Sequence, residues 1–264
     1  MSELDEVRAD LVAEQRSLDE LVSPLSNERW LLATPSEGWN IADQIGHLTY
    51  FDVAAALAID DPEAFQAHVH ALIEGAVSSG LDDYTLARFR ALPAPEQLAS
   101  WRRARAELER AASTLDNGDR VPWYGPSMSA TSFLTARLME AWAHGTDVAD
   151  ALGIRRIAAD RLRHIAQLGF ITRTWSYTVR GETPPPGEVR VVLTSPSGTT
   201  WIRGDETSED TITGSMEDFC LVVSQRRHLD DTSLVTGELG RHWMLRAQAF
   251  AGGATLGPAS RGST

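Results

Sequence analysis

Three consecutive prolines, Pro184, Pro185 and Pro186, stand between Gly181 and Glu188 in the stretch GETPPPGE. Proline lacks an amide hydrogen and clashes with the preceding helical turn, so no helix crosses this stretch. The sequence before it reads as helical and the sequence after it as strand-rich, which excludes an all-helical chain. Upstream, Leu4, Val7, Leu11, Leu18, Leu21 and Leu25 recur at roughly helical spacing. They predict an opening helix of about 20 residues that ends at Ser23-Pro24. Asn40 is a plausible N-cap for a second helix over residues 41–60. Residues 61–92 are helix-compatible, residues 101–115 form a charged amphipathic helix, and Asp116-Asn117-Gly118-Asp119 is a turn. A long helix over 127–152 closes at Gly153. Four long helices predict a bundle.

Downstream, a helix over 158–177 precedes the proline stretch. Short strands follow at 189–193, 199–203, 210–213 and 232–237, with a hairpin turn at Ser195-Pro196-Ser197-Gly198. A buried helix over 215–227 and a last helix near 241–250 complete a small α+β domain. The expected division is 1–155 for the bundle, 156–252 for the α+β domain and 253–264 for a disordered tail.

Charge divides the chain in the same place. Residues 1–150 hold 25 acidic side chains and 11 arginines, whereas residues 151–264 hold 12 and 13. All 24 basic residues are arginine; lysine is absent. Without an ammonium on a flexible stem there is no Schiff-base chemistry and no Walker-type phosphate loop. A net charge of −13 argues against nucleic acid and anionic membrane as partners. Cys220 is the single cysteine, so no internal disulfide can form. The start MSELDEVRADLVAEQ is acidic and amphipathic where a signal peptide would be basic and then apolar. No run of about eighteen apolar residues occurs. A cytoplasmic protein acting on a small molecule is the expectation, and nothing in the sequence marks an oligomeric state.

One helix carries a polar seam. Arg137, Glu140, His144 and Asp147 are spaced three, four and three apart, one face of a helix, among Leu134, Leu138, Met139, Trp142 and Val148. Buried charge is costly unless it is paired or metal-bound. The second helix repeats the feature with Asp43, His47 and Tyr50. Glu140 and His144 can converge on one ion, and His47 is chosen as a third ligand. That set of two histidines and one carboxylate leaves an open position, the arrangement of catalytic zinc. In this reading Asp147 orients His144, and Arg137 pairs with Glu140 or with an anionic substrate. His68 and His70 are read as surface residues, His164 and His228 as solvated, and Cys220 as a buried structural thiol. Trp39 or Trp123 could line a pocket mouth. No G-x-S-x-G or G-x-G-x-x-G element is present.

Two segments resemble a known family. Glu37-Gly38-Trp39-Asn40-Ile41-Ala42-Asp43-Gln44-Ile45-Gly46-His47-Leu48 is similar to the signature of DinB-like metal-binding bundles. Ala136-Arg137-Leu138-Met139-Glu140-Ala141-Trp142-Ala143-His144-Gly145-Thr146-Asp147 resembles the matching helix of mycothiol-dependent maleylpyruvate isomerases, in an actinobacterial branch. The resemblance implies a DinB-like four-helix bundle followed by a small α+β domain similar to sterol-carrier folds. It implies zinc held by His47, Glu140 and His144, with mycothiol as the thiol cosubstrate for isomerisation or S-transfer on a small electrophile. It also implies a catalytic arginine in the second domain, at Arg241 or Arg246. The stretch near 61–95 is longer than in other members and bears on the substrate. A metal-dependent hydrolase or lyase using zinc-bound water, and a non-catalytic small-molecule or lipid carrier, are the competing functions.

Overall fold

The computed structural model describes residues 2–263, so Met1 and Thr264 lie outside the described residues. The chain separates into two compact units, residues 1–156 and 157–264.

The first unit is helical. Its elements are α1 (Glu3–Val22), α2 (Asn27–Trp30), α3 (Ile41–Asp60), α4 (Pro62–Ser79), α5 (Leu81–Arg90), α6 (Ala94–Ala112), the short strands β1 (Arg120–Val121) and β2 (Met128–Ser129), and α7 (Ala130–Leu152). The four long helices α1, α3, α6 and α7 form the bundle: α1 packs on α6 and α7, and α3 packs on the same two. α4 and α5 pack on each other and on α3, so the long stretch noted in the sequence is a helical excursion. Local chemistry sets the helix starts. Ser2 with Asp5, and Asn40 with Asp43, form reciprocal capping boxes that satisfy the first unpaired amides. Leu18, Ile41, Ile45, Leu48, Trp101 and Val148 are buried together in the bundle core. Each such side chain contributes about 1.5–3 kcal/mol by leaving water.

Two boundaries differ from the sequence reading. α6 begins at Ala94, earlier than the expected residue 101, because Pro93 and Pro95 fall at the helix start, where a missing amide hydrogen is harmless. Residues 127–129 are not helical: Met128–Ser129 pairs with Arg120–Val121, and Ser129 caps α7 by accepting from Ser132 N.

The second unit contains α8 (Leu162–Ile171), α9 (Arg173–Thr178), β3 (Val189–Thr194), β4 (Thr200–Arg203), β5 (Asp210–Ser215), α10 (Met216–Val223), β6 (Val235–Thr236) and α11 (Glu238–Met244). The sheet order is β4-β3-β5-β6. β3 runs antiparallel to β4 and parallel to β5, with Val191 opposite Arg203 on one side and Ile212 on the other. Alternate residues Val189, Val191 and Leu193 are buried, the period of a sheet with one face on a core. α8 packs against α10 at Gly169, where a Cβ would stand 2.8 Å from Val223 Cγ2. The single helix expected over 158–177 is interrupted at Thr172. The last helix is shorter and earlier than expected. The segment after residue 252, expected to be disordered, runs back over its own unit: Thr255 N donates to Gln248 Oε1 (3.1 Å) and Arg261 N to Asp231 Oδ2 (3.0 Å).

Candidate metal centre

The N-terminal end of α3 and the middle of α7 bring the polar seams face to face. Glu140 Oε2 lies 3.2 Å from His47 Nε2 and 3.1 Å from His144 Nε2. One ligand atom from each of the three residues lies within 4.8 Å of the others. A tetrahedral ion with bonds of about 2.0–2.2 Å would need ligand-to-ligand separations of about 3.3–3.6 Å. The two carboxylate-to-imidazole spacings match this within a few tenths of an ångström, and two imidazoles with a carboxylate are a zinc-type donor set. Burial alone would raise the Glu140 carboxyl, but hydrogen bonds and charge from His144 and His47 outweigh it and hold it well below the usual carboxylate range. His47 and Glu140 keep 19% and 25% side-chain exposure, so the cluster is not sealed.

A ten-residue loop, 31–40, lies against this cluster. Thr34 N donates to Trp39 O (2.9 Å) and Trp39 N to Ser36 O (3.0 Å), closing a turn in which Gly38 takes φ +77°. That left-handed conformation suits glycine. The turn places Trp39 with its ring 5.2 Å from the His47 ring and stacked 6.0 Å from the His144 ring. Trp39 Nε1 donates to Asp82 Oδ2 (2.7 Å), which ties the loop to α5. On the other side, Phe51 lies 4.6 Å from His47, one turn along α3. Trp123 is one step further out, 6.4 Å from Phe51 and stacked on Phe65.

Several polar residues find partners other than those expected. Arg137 pairs with Asp52, donating from Nε (3.2 Å) and Nη2 (2.8 Å), not with Glu140. Burial pushes the Asp52 carboxyl up while the Arg137 charge opposes that. The oxygen at His144 Nδ1 belongs to Gln44 (2.5 Å), whereas Asp147 accepts from Ser36 Oγ (3.1 Å). Asp43 caps α3 and receives Arg90 Nε (2.7 Å). Tyr50 packs beside Phe51 and His68, and burial pushes its phenol up to about 12. His68 is half-buried, not superficial: its Nε2 meets the Tyr124 hydroxyl at 2.8 Å. His70 is exposed as expected.

In the second unit, His164 is buried instead of solvated, and His228 is half-buried, with Nδ1 accepting from Asp230 N (3.2 Å). Cys220 is fully buried, and burial raises its thiol well above the usual range. Arg241 is held by Asp230 (2.7 and 3.1 Å) and Arg246 by Glu182 (2.7 Å).

Gln44, Thr34 and Phe51 were missed by the sequence reading. Gln44 carried a detectable signal, a polar side chain flanked by Ile41, Ile45 and Leu48 in an apolar stretch.

Comparison with known proteins adds to this geometry. The family model described as "Mycothiol maleylpyruvate isomerase N-terminal domain" matches residues 11–149. The uncharacterized proteins Rv0036c and MT0041, from two strains of Mycobacterium tuberculosis, are each 44% identical over 245 residues, covering 92% of this chain and 95% of theirs. Among solved structures, a mycothiol-dependent maleylpyruvate isomerase and its histidine-to-alanine mutant align with TM-scores of 0.57 and 0.58 at 17% and 18% identity. Each alignment covers 89% of this chain and 92% of the other. At that identity the likeness shows a shared fold: a helical first region followed by a small mixed-sheet domain.

Proposed function

Because the chain belongs to the mycothiol maleylpyruvate isomerase family, we propose that it is a zinc-dependent enzyme using mycothiol for isomerisation or S-transfer on a small electrophilic substrate. The observation that carries this reading is the convergence of His47, Glu140 and His144 from two helices, three protein donors as a catalytic zinc site has. Zinc held there would supply Lewis acidity, favouring the thiolate form of a thiol at neutral pH.

The chain's own residues divide the remaining work. Trp39 and Phe51 flank His47 and limit water beside it. Arg137, 4% exposed and committed to Asp52, holds α7 in place and is a positioning residue. Asp147, with Ser36 on one oxygen, stands one turn from His144 on the same helix. In the second unit, Arg241 and Arg246, the arginines singled out for catalysis, are paired with Asp230 and Glu182. The nucleophile comes from outside the chain: lysine is absent, and Cys220 is buried with a raised pKa.

Purified protein should contain about one zinc per chain and consume an electrophile only when mycothiol is present. Absence of metal, or full activity after replacing both His47 and His144 by alanine, would overturn the proposal. Turnover without thiol would identify the zinc-water hydrolase or lyase instead. Copurification of an apolar ligand that survives loss of the metal ligands, with no turnover, would identify the carrier.

A further inference from the structure

Behind His144 a chain of hydrogen bonds runs from Gln44 through Thr34 to the Trp39 carbonyl. The Trp39 carbonyl can only accept, and Thr34 Oγ1 lies 3.0 Å from it. If the Thr34 hydroxyl gives its single hydrogen there, Oγ1 must accept from its other neighbour, the Gln44 side chain at 2.8 Å. That neighbour is therefore the amide nitrogen, which turns Gln44 Oε1 towards His144 Nδ1. An amide oxygen only accepts, so Nδ1 carries the hydrogen. With Nδ1 engaged by the amide, the other ring nitrogen, Nε2, is the one turned to Glu140 Oε2 at 3.1 Å, on the side where a metal would be bound. Gln44 is fully buried, so bulk water does not compete for its amide.

We infer that Gln44 is a positioning residue of the metal centre: anchored through Thr34 to the Trp39 carbonyl, it fixes His144 in the Nδ1–H tautomer and directs Nε2 at a cation. The inference rests on the zinc reading above and extends it to a residue that touches no metal. Histidine ligands are commonly oriented by an acceptor at their other ring nitrogen. Here the acceptor is a neutral amide whose orientation is itself set by a main-chain carbonyl, so the loop carrying Trp39 and the helix carrying His144 are tied to one tautomer.

Two measurements test it. In metal-free protein above the histidine titration range, nitrogen-15 NMR of the imidazoles should show His144 protonated at Nδ1, and Gln44→Leu should convert it to a mixture of tautomers. In chelator competition, Gln44→Leu should weaken zinc binding about 10–100-fold, Thr34→Val by less, and Gln44→Glu, which keeps an acceptor at Nδ1, should bind within a few-fold of wild type. If Gln44→Leu does not fold, the Gln44→Glu and Thr34→Val pair with the wild-type NMR carries the test. A wild-type His144 protonated at Nε2 would overturn the inference by showing the chain of bonds reversed. Equal zinc affinity in all folded variants would overturn it too. Wild-type protein with the expected tautomer but no zinc affinity would instead overturn the metal reading, and with it the role assigned to Gln44.

Discussion

Two polar clusters lie side by side in the first unit, and they are built on opposite principles. At Asp52 every neighbour is a donor: Arg137 gives two N–H groups, Gln15 Nε2 one (3.3 Å) and Trp101 Nε1 one (3.3 Å). Charge is balanced, and Asp52 and Arg137 are only 2% and 4% exposed. At His47, Glu140 and His144 three ligand atoms converge, with both imidazole Nε2 atoms turned to one carboxylate oxygen. That cluster stays partly open, with 25% exposure at Glu140. The closed cluster is complete as a protein interaction; the open one is a donor set that a cation would complete.

The comparison can be broken experimentally. The largest expected effect is at the closed cluster: Asp52→Ala leaves the Arg137 guanidinium buried and unpaired and should cost about 3–5 kcal/mol in urea or thermal unfolding. Glu140→Gln should do the reverse. Unfolding free energy of the metal-free protein should fall by clearly less than for Asp52→Ala, because the site is partly open and the amide keeps a polar group facing both imidazoles. Zinc binding should weaken at least about 100-fold, and a chelator that lowers the Tm of wild type should leave the variant unmoved. If Glu140→Gln proves as destabilising as Asp52→Ala, the two clusters are not different in kind.

Gly38→Ala sharpens the contrast. No atom lies within 4 Å of a Cβ added there, so only the left-handed φ resists it, at about 1 kcal/mol. The strain falls on the loop that supports the open cluster, so a few-fold loss of zinc affinity should accompany it while the Asp52 cluster is untouched. The smallest effect concerns His68. Burial and the nearby Arg88 charge hold its pKa below the ordinary 6.5, so the unfolded chain binds the proton first. Stability is full above about pH 6.5 and falls as pH drops from there towards the folded-state value. His68→Gln should flatten that part of the profile in chemical denaturation.

The open cluster was legible in the sequence because helical period is local: the spacing from Arg137 to Asp147 already places four side chains on one face. The partners were not legible, because they are set by packing between helices. Asp52 lies 85 residues before Arg137, and Gln44 lies 100 residues before His144. His164 was misread for the same reason; its arginine neighbours in sequence point away from the core that receives it. The fold class followed from the proline stretch and the two apolar periods. The interruption at Thr172 and the early start of α6 did not, since both depend on what a helix end packs against.

Asp52 draws its donors from α1, α6 and α7 at separations of 37, 49 and 85 residues. This has a consequence for how the unit assembles. A chain that has packed α1, α3 and α6 but not α7 presents Gln15 and Trp101 to Asp52 without its counter-charge, which arrives only with Arg137. The last helix therefore supplies the charge that the first three lack. Glu140 follows Arg137 by less than one turn, so the ligands arrive with the counter-charge. A bundle lacking α7 would keep only His47 of the three candidate ligands, so metal binding at this site would report the docking of α7.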